Sequence, residues 1–148
     1  MTNSVMLVED EKKTAEMLKL ALESEGIEVL WVQDGKSALH EMKKGRFDLI
    51  ILDLKLPEMS GDEILESIRK IDSYVNVVVY TNYQEPPVMK KLINLGIEGF
   101  ISKGADADLW DTVEKVKSLL DPFSDEERDD LLTSLPPGAF VNPSKDDD

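Results

Sequence analysis

The sequence predicts an α/β protein built on a doubly wound, five-stranded parallel sheet. Apolar runs suited to strands occur five times, at 5–8, 27–32, 49–52, 75–80 and 97–101, and stretches of helical periodicity separate them. The central run, Leu49, Ile50, Ile51 and Leu52, is unbroken rather than alternating, as expected of a strand covered on both faces. Short crossovers between parallel strands are right-handed, so the intervening helices must divide between the two faces of the sheet. A chain of 148 residues has room for one domain of ordinary size and a short appendage. We place the domain at 1–120 and an acidic C-terminal extension at 121–148.

Each helix carries its own signals. Ala15, Leu18, Ala21 and Leu22 give the first an apolar stripe, and Gly26 marks its stop. Asp34 is placed to cap the second, which bears Ala38, Leu39 and Met42 and closes on Lys43, Lys44 and Gly45. Pro57 and Gly61 mark a turn after the central strand, and Ser60 with Glu63 forms a capping box opening the third helix. Ile64, Leu65, Ile68 and Ile71 form its inner face, while Glu66, Arg69 and Lys70 are expected in water. Pro86 and Pro87 suit the first turn of a fourth helix carrying Val88, Leu92, Ile93 and Leu95 and ending at Gly96. Leu109, Val113, Val116 and Leu120 give the fifth its core stripe, with Trp110 one residue off it. In the extension, Ser124 and Glu127 form a second capping box, predicting a short helix near 125–134 before Pro136 and Pro137, then a loose tail.

Composition narrows function. A formal charge of −14 argues against nucleic acid or anionic lipid as a direct partner, because both are bound by neutralising phosphates with Lys and Arg. Half of that excess follows residue 120, where nine acids oppose Arg128 and Lys145. The absence of cysteine excludes disulfides, thiolate metal sites and thiol nucleophiles. No basic leader or membrane-length apolar run is expected, so the chain is placed in the cytoplasm.

Chemistry collects at strand ends. Asp53 follows the central strand directly, at the edge where open α/β sheets place their ligands. A lone strand-end aspartate can simply cap its loop. Here Glu9 and Asp10 follow the first strand, Thr81 the fourth and Lys103 the fifth, so four strand ends converge. Glu9, Asp10 and Asp53 in one pocket repel one another unless a cation is present, and a hard divalent ion such as Mg²⁺ takes oxygen ligands. Asp10 and Asp53 are the expected direct ligands, with Glu9 acting through water and the backbone carbonyl of Lys55 as a third protein oxygen. Lys103 is placed as a point-charge clamp on a phosphoryl group, and Thr81 offers a hydroxyl beside it.

The set Glu9-Asp10, Asp53 within Asp53-x-x-x-Pro57-x-x-x-Gly61, Thr81 and Lys103 resembles the receiver domains of two-component response regulators, of the single-domain chemotaxis type, over residues 4 to about 120. The resemblance implies a flavodoxin-like (βα)₅ fold with strand order 2-1-3-4-5. It also implies that Asp53 accepts a phosphoryl group from a histidine kinase or phosphotransfer protein with Mg²⁺ bound. Thr81 would then bond a phosphate oxygen, and Phe100 would rotate inward. This would alter a surface made by the fourth helix, fifth strand and fifth helix, which contacts a downstream protein target. Such a chain is a phosphoryl-accepting switch rather than a turnover enzyme, and is a monomer or weak dimer. It departs from the family pattern at Asn82 and Tyr83, which put bulk after the threonine, at Lys55, a second cation near the acceptor, and at Gly104, which stands where a proline is usual.

Three other readings compete with this one. A phosphatase of the haloacid dehalogenase type needs a second acid where Lys55 stands. A dinucleotide fold needs a glycine-rich turn where Glu9-Asp10-Glu11-Lys12 stands. A receiver-shaped interaction module working without phosphorylation is the serious alternative, motivated by Asn82, Lys55 and the acidic tail.

Overall fold

Strands and helices alternate in a computed structural model of the chain, which describes residues 3–81, 85–102 and 109–121. The order is β1 (Ser4–Val8), α1 (Lys12–Glu23), β2 (Glu28–Val32), α2 (Gly35–Lys44), β3 (Leu49–Leu52), α3 (Gly61–Ile71), β4 (Asn76–Tyr80), α4 (Pro86–Leu95), β5 (Gly99–Ile101) and α5 (Leu109–Leu120). All strand pairs are parallel, and the sheet runs β2-β1-β3-β4-β5 as the resemblance implied. The helix expected near 125–134 and the tail beyond it lie outside the described residues.

The pleat divides the core in two. Val5, Leu7, Leu49 and Ile51 turn to one face, where they meet Ala15, Leu18 and Leu22 of α1 and Val113 and Val116 of α5. Met6, Val8, Ile50 and Leu52 turn to the other and pack against Ala38 of α2, Ile64, Leu65 and Ile68 of α3 and Leu92 of α4. Every residue of β3 is buried, which is why its sequence does not alternate.

Most helix signals are realised. Asp34 caps α2, accepting the Ser37 amide at 2.7 Å, and this bond is the main reason its carboxyl is held below the usual carboxylate range. Glu63 Oε1 accepts from both the amide and the hydroxyl of Ser60 at 3.0 Å, the reciprocal half of the capping box. Gly26 and Gly96 take positive φ (83° and 101°) just past α1 and α4.

Several expectations need correction. Gly45 is extended (φ −169°), so α2 ends without a left-handed cap. Three strands begin later than their apolar runs, at Glu28, Asn76 and Gly99, because Ile27 and Val75 are already buried before ladder pairing starts. Ile71 is exposed rather than inward. Arg69 is not a water-facing charge. Its guanidinium donates to the carbonyls of Gly96 (2.6 Å) and Val75 (2.7 Å), clamping the end of α3 to the start of β4 and the end of α4.

Candidate phosphoacceptor and metal site

Backbone pairing carries the functional residues one step past their strands. Glu9 N–H donates to Val32 O, Asp53 N–H to Val8 O and Thr81 N–H to Ile101 O, each at 3.0 Å. These bonds fix three side chains at the carboxyl edge. Because β1 lies beside β3 at the middle of the sheet, Glu9 and Asp53 meet where the direction of winding reverses, the place such sheets bind ligands.

There Glu9, Asp10 and Asp53 each present a carboxylate oxygen, and these oxygens lie within 4.8 Å of one another. Glu9 is fully buried, Asp53 is 2% exposed and Asp10 faces solvent. Three acids so close are costly without a counter-charge. The donor set is all oxygen, two members are withdrawn from water and the third is open to it. That combination fits a hard divalent ion that keeps part of its hydration.

Hydrogen bonds hold the surrounding backbone. A Glu9 carboxylate oxygen accepts the Glu11 amide at 3.0 Å, the Glu9 carbonyl accepts the Trp31 indole N–H at 2.7 Å, and Asp53 Oδ1 accepts the Lys55 amide at 3.2 Å. After Asp53 the chain doubles back through a bridge between Lys55 and Ser60, and Gly61 N–H donates to Leu54 O at 3.1 Å. Within this loop Glu58 adopts φ +71°, which costs a side-chain-bearing residue roughly 1–2 kcal/mol. Gly61 is required by proximity, not by φ: a Cβ there would lie 2.8 Å from Leu54 Cα and 2.5 Å from its Cδ2.

In the first turn of α3, Asp62 pairs with Lys91 of α4 at 2.8 Å. The Lys91 ammonium, then the Ser60 side chain, keep the Asp62 carboxyl below its ordinary range, and Asp62 raises Lys91 in turn. Thr81 is 2% exposed at the end of β4, and Phe100 is half-buried against the α3 and α4 side of the core.

Residues 5–114 match the family described as response regulator receiver domain. The chain belongs to the receiver domain family. It is 31% identical over 116 residues to sporulation initiation phosphotransferase F of Bacillus subtilis, a match covering 78% of this chain and 94% of that protein. It is 34% identical over 99 residues to the uncharacterized transcriptional regulatory protein YkoG of the same organism, covering 67% of this chain and 43% of the relative, so it spans less than half that protein's length. The phosphorylated cyanobacterial phytochrome response regulator RcpA superposes with a TM-score of 0.75 at 26% identity, covering 84% of this chain and 98% of that one.

In this receiver domain the described structure brings together Glu9, Asp10 and Asp53, the three acids expected from the strand ends. Lys55 is tied to Asp53 through its amide. Lys103, Asn82, Tyr83 and Gly104 lie outside the described residues. Trp110 is 55% exposed, matching its place off the stripe of α5. Trp31 and Arg69 were not legible as structural anchors. The available signal at Trp31 was an indole donor near the end of an edge strand, where it needs an acceptor. Among the described residues, no helix is long and apolar enough to cross a membrane.

Proposed function

We propose that this receiver domain is a phosphorylation switch in which Asp53 is the acceptor and Mg²⁺ the cofactor. The observation that carries the reading is the buried Asp53 carboxylate sharing a pocket with those of Glu9 and Asp10 at the sheet's winding reversal. A relative whose name is phosphotransferase and a structural neighbour described as phosphorylated support it.

In this mechanism an Asp53 oxygen attacks the phosphorus of a phosphohistidine on a kinase or phosphotransfer protein. The new O–P bond forms as the N–P bond breaks, and its electron pair leaves with the imidazole nitrogen. Asp10, Asp53 and the Lys55 carbonyl, with Glu9 through water, would hold Mg²⁺, which would supply positive charge at the phosphoryl group when bound. Lys103 clamps the phosphoryl oxygens, and Thr81 donates its hydroxyl to one of them. The chain's own contribution is therefore positioning and preorganised charge. Once Thr81 is engaged, Phe100 turns inward and the α4-β5-α5 face changes, biasing a two-state surface that a downstream protein reads. Net charge favours a protein over a nucleic acid as that target. The chain accepts and loses one phosphoryl group and is not a turnover enzyme.

The test is incubation with acetyl phosphate, with and without Mg²⁺, followed by intact-mass measurement. One added phosphoryl mass is expected, only with Mg²⁺ and not in Asp53→Asn. No metal-dependent addition in the wild type overturns the switch and favours a module that works unphosphorylated.

A further inference from the structure

Asp10 is the exposed member of the acid cluster, and among the described residues no hydrogen bond holds its carboxylate. Its placement therefore depends on the backbone of the turn that carries it. Two bonds on the turn's Glu9 side bear on the peptide that leads to Asp10. One is local, the Glu11 amide on the Glu9 carboxylate. The other comes from a different strand: Trp31, next to last in β2, donates its indole N–H to the Glu9 carbonyl at 2.7 Å. This carbonyl belongs to the peptide joining Glu9 to Asp10, so the indole bond fixes the peptide plane from which the Asp10 side chain departs. The β1–β2 ladder reaches Glu9 N–H, bonded to Val32 O, and Trp31 holds the other side of the same residue. The indole ring packs against the α1 and α5 side of the core, so the donor is itself braced.

We infer that Trp31 is a positioning residue for metal binding, its indole N–H orienting the Glu9–Asp10 peptide so that Asp10 completes the cation site. The inference rests on the reading of Glu9, Asp10 and Asp53 as that site. Partners that orient metal ligands from one shell out change affinity by roughly 10- to 100-fold when removed. Trp31 acts on a ligand through one peptide, so the lower end of that range is expected.

Trp31→Phe keeps a ring against the core and removes only the donor and part of the indole. Magnesium chloride is titrated into the wild type and Trp31→Phe and followed by calorimetry, with the urea midpoint measured in metal-free buffer. The expected result is a Kd for Mg²⁺ raised about 10-fold in the variant. A purely structural role would lower the metal-free midpoint and leave Kd where it was, and that outcome overturns the inference. The chain has two tryptophans, so Trp110→Phe leaves Trp31 as its single indole, and this gives a second reading should Trp31→Phe not fold. In Trp110→Phe the indole N–H resonance should shift on Mg²⁺ saturation and exchange more slowly with solvent. A resonance that does not respond while Mg²⁺ binds overturns the inference. Failure of the wild type to bind Mg²⁺ is a separate result, which removes the metal site itself and this inference with it.

Discussion

Gly61 is where the acceptor loop approaches itself most closely. A methyl group there would meet Leu54 backbone at 2.8 Å, and backbone cannot rotate away as a side chain end can. Gly61→Ala should therefore destabilise the domain by about 1–3 kcal/mol, the range for overpacking a tight site. Urea unfolding measures this directly, and an unchanged midpoint would mean that the loop yields freely. Sequence reading reached Gly61 for another reason, as a turn former, because spacing reveals that a glycine is needed but not which atoms crowd it. Asp53, Glu9, Asp10 and Thr81 were legible because an apolar run that ends in a polar residue locates a strand's edge. Trp31 and Arg69 were not, since a long side chain chooses a partner 22 or 27 residues away only once the fold brings it there.

Between elements, one contact open to pH is the Asp62–Lys91 pair joining the first turn of α3 to α4. Lys91 holds the Asp62 carboxyl below its ordinary range, so the pair's contribution is complete above the unfolded value of about 3.9 and is lost as pH falls through the lowered native value. Lys91 is raised, so its share is complete below about 10.4 and is lost only as pH rises through its native value. Urea midpoints of wild type and Asp62→Asn should differ at pH 7, and the gap should narrow as pH is taken below about 3.9. A gap that persists or widens in acid would contradict this assignment. Element positions were readable because helical stripes and buried strands have different periods. Their boundaries were less so: Ile27 and Val75 belong to the core before they belong to the ladder. Apolar character alone does not fix which side of α4 faces the sheet: Leu92 takes that place and Ile93 is exposed.

For the whole molecule, the sheet separates two apolar clusters and leaves its carboxyl edge to chemistry. Under the proposed switch, that division would let a charge change at Asp53 reach α4 and β5 through Thr81 and Phe100 without dismantling the core on the α1 and α5 side. The family and fold follow from residues 5–114 and the strand order, whereas the choice of any kinase or target would rest on surfaces that pattern does not encode. In the proposed switch one particular carboxylate among three, that of Asp53, becomes an acyl phosphate. Borohydride reduces such an anhydride to an alcohol, so treating the acetyl phosphate reaction and sequencing its peptides by mass spectrometry locates the acceptor. Conversion of Asp53 to homoserine, dependent on Mg²⁺, is the expected result. Modification at Asp10 or Glu9 instead, or none at Asp53 when Mg²⁺ is present, would contradict it.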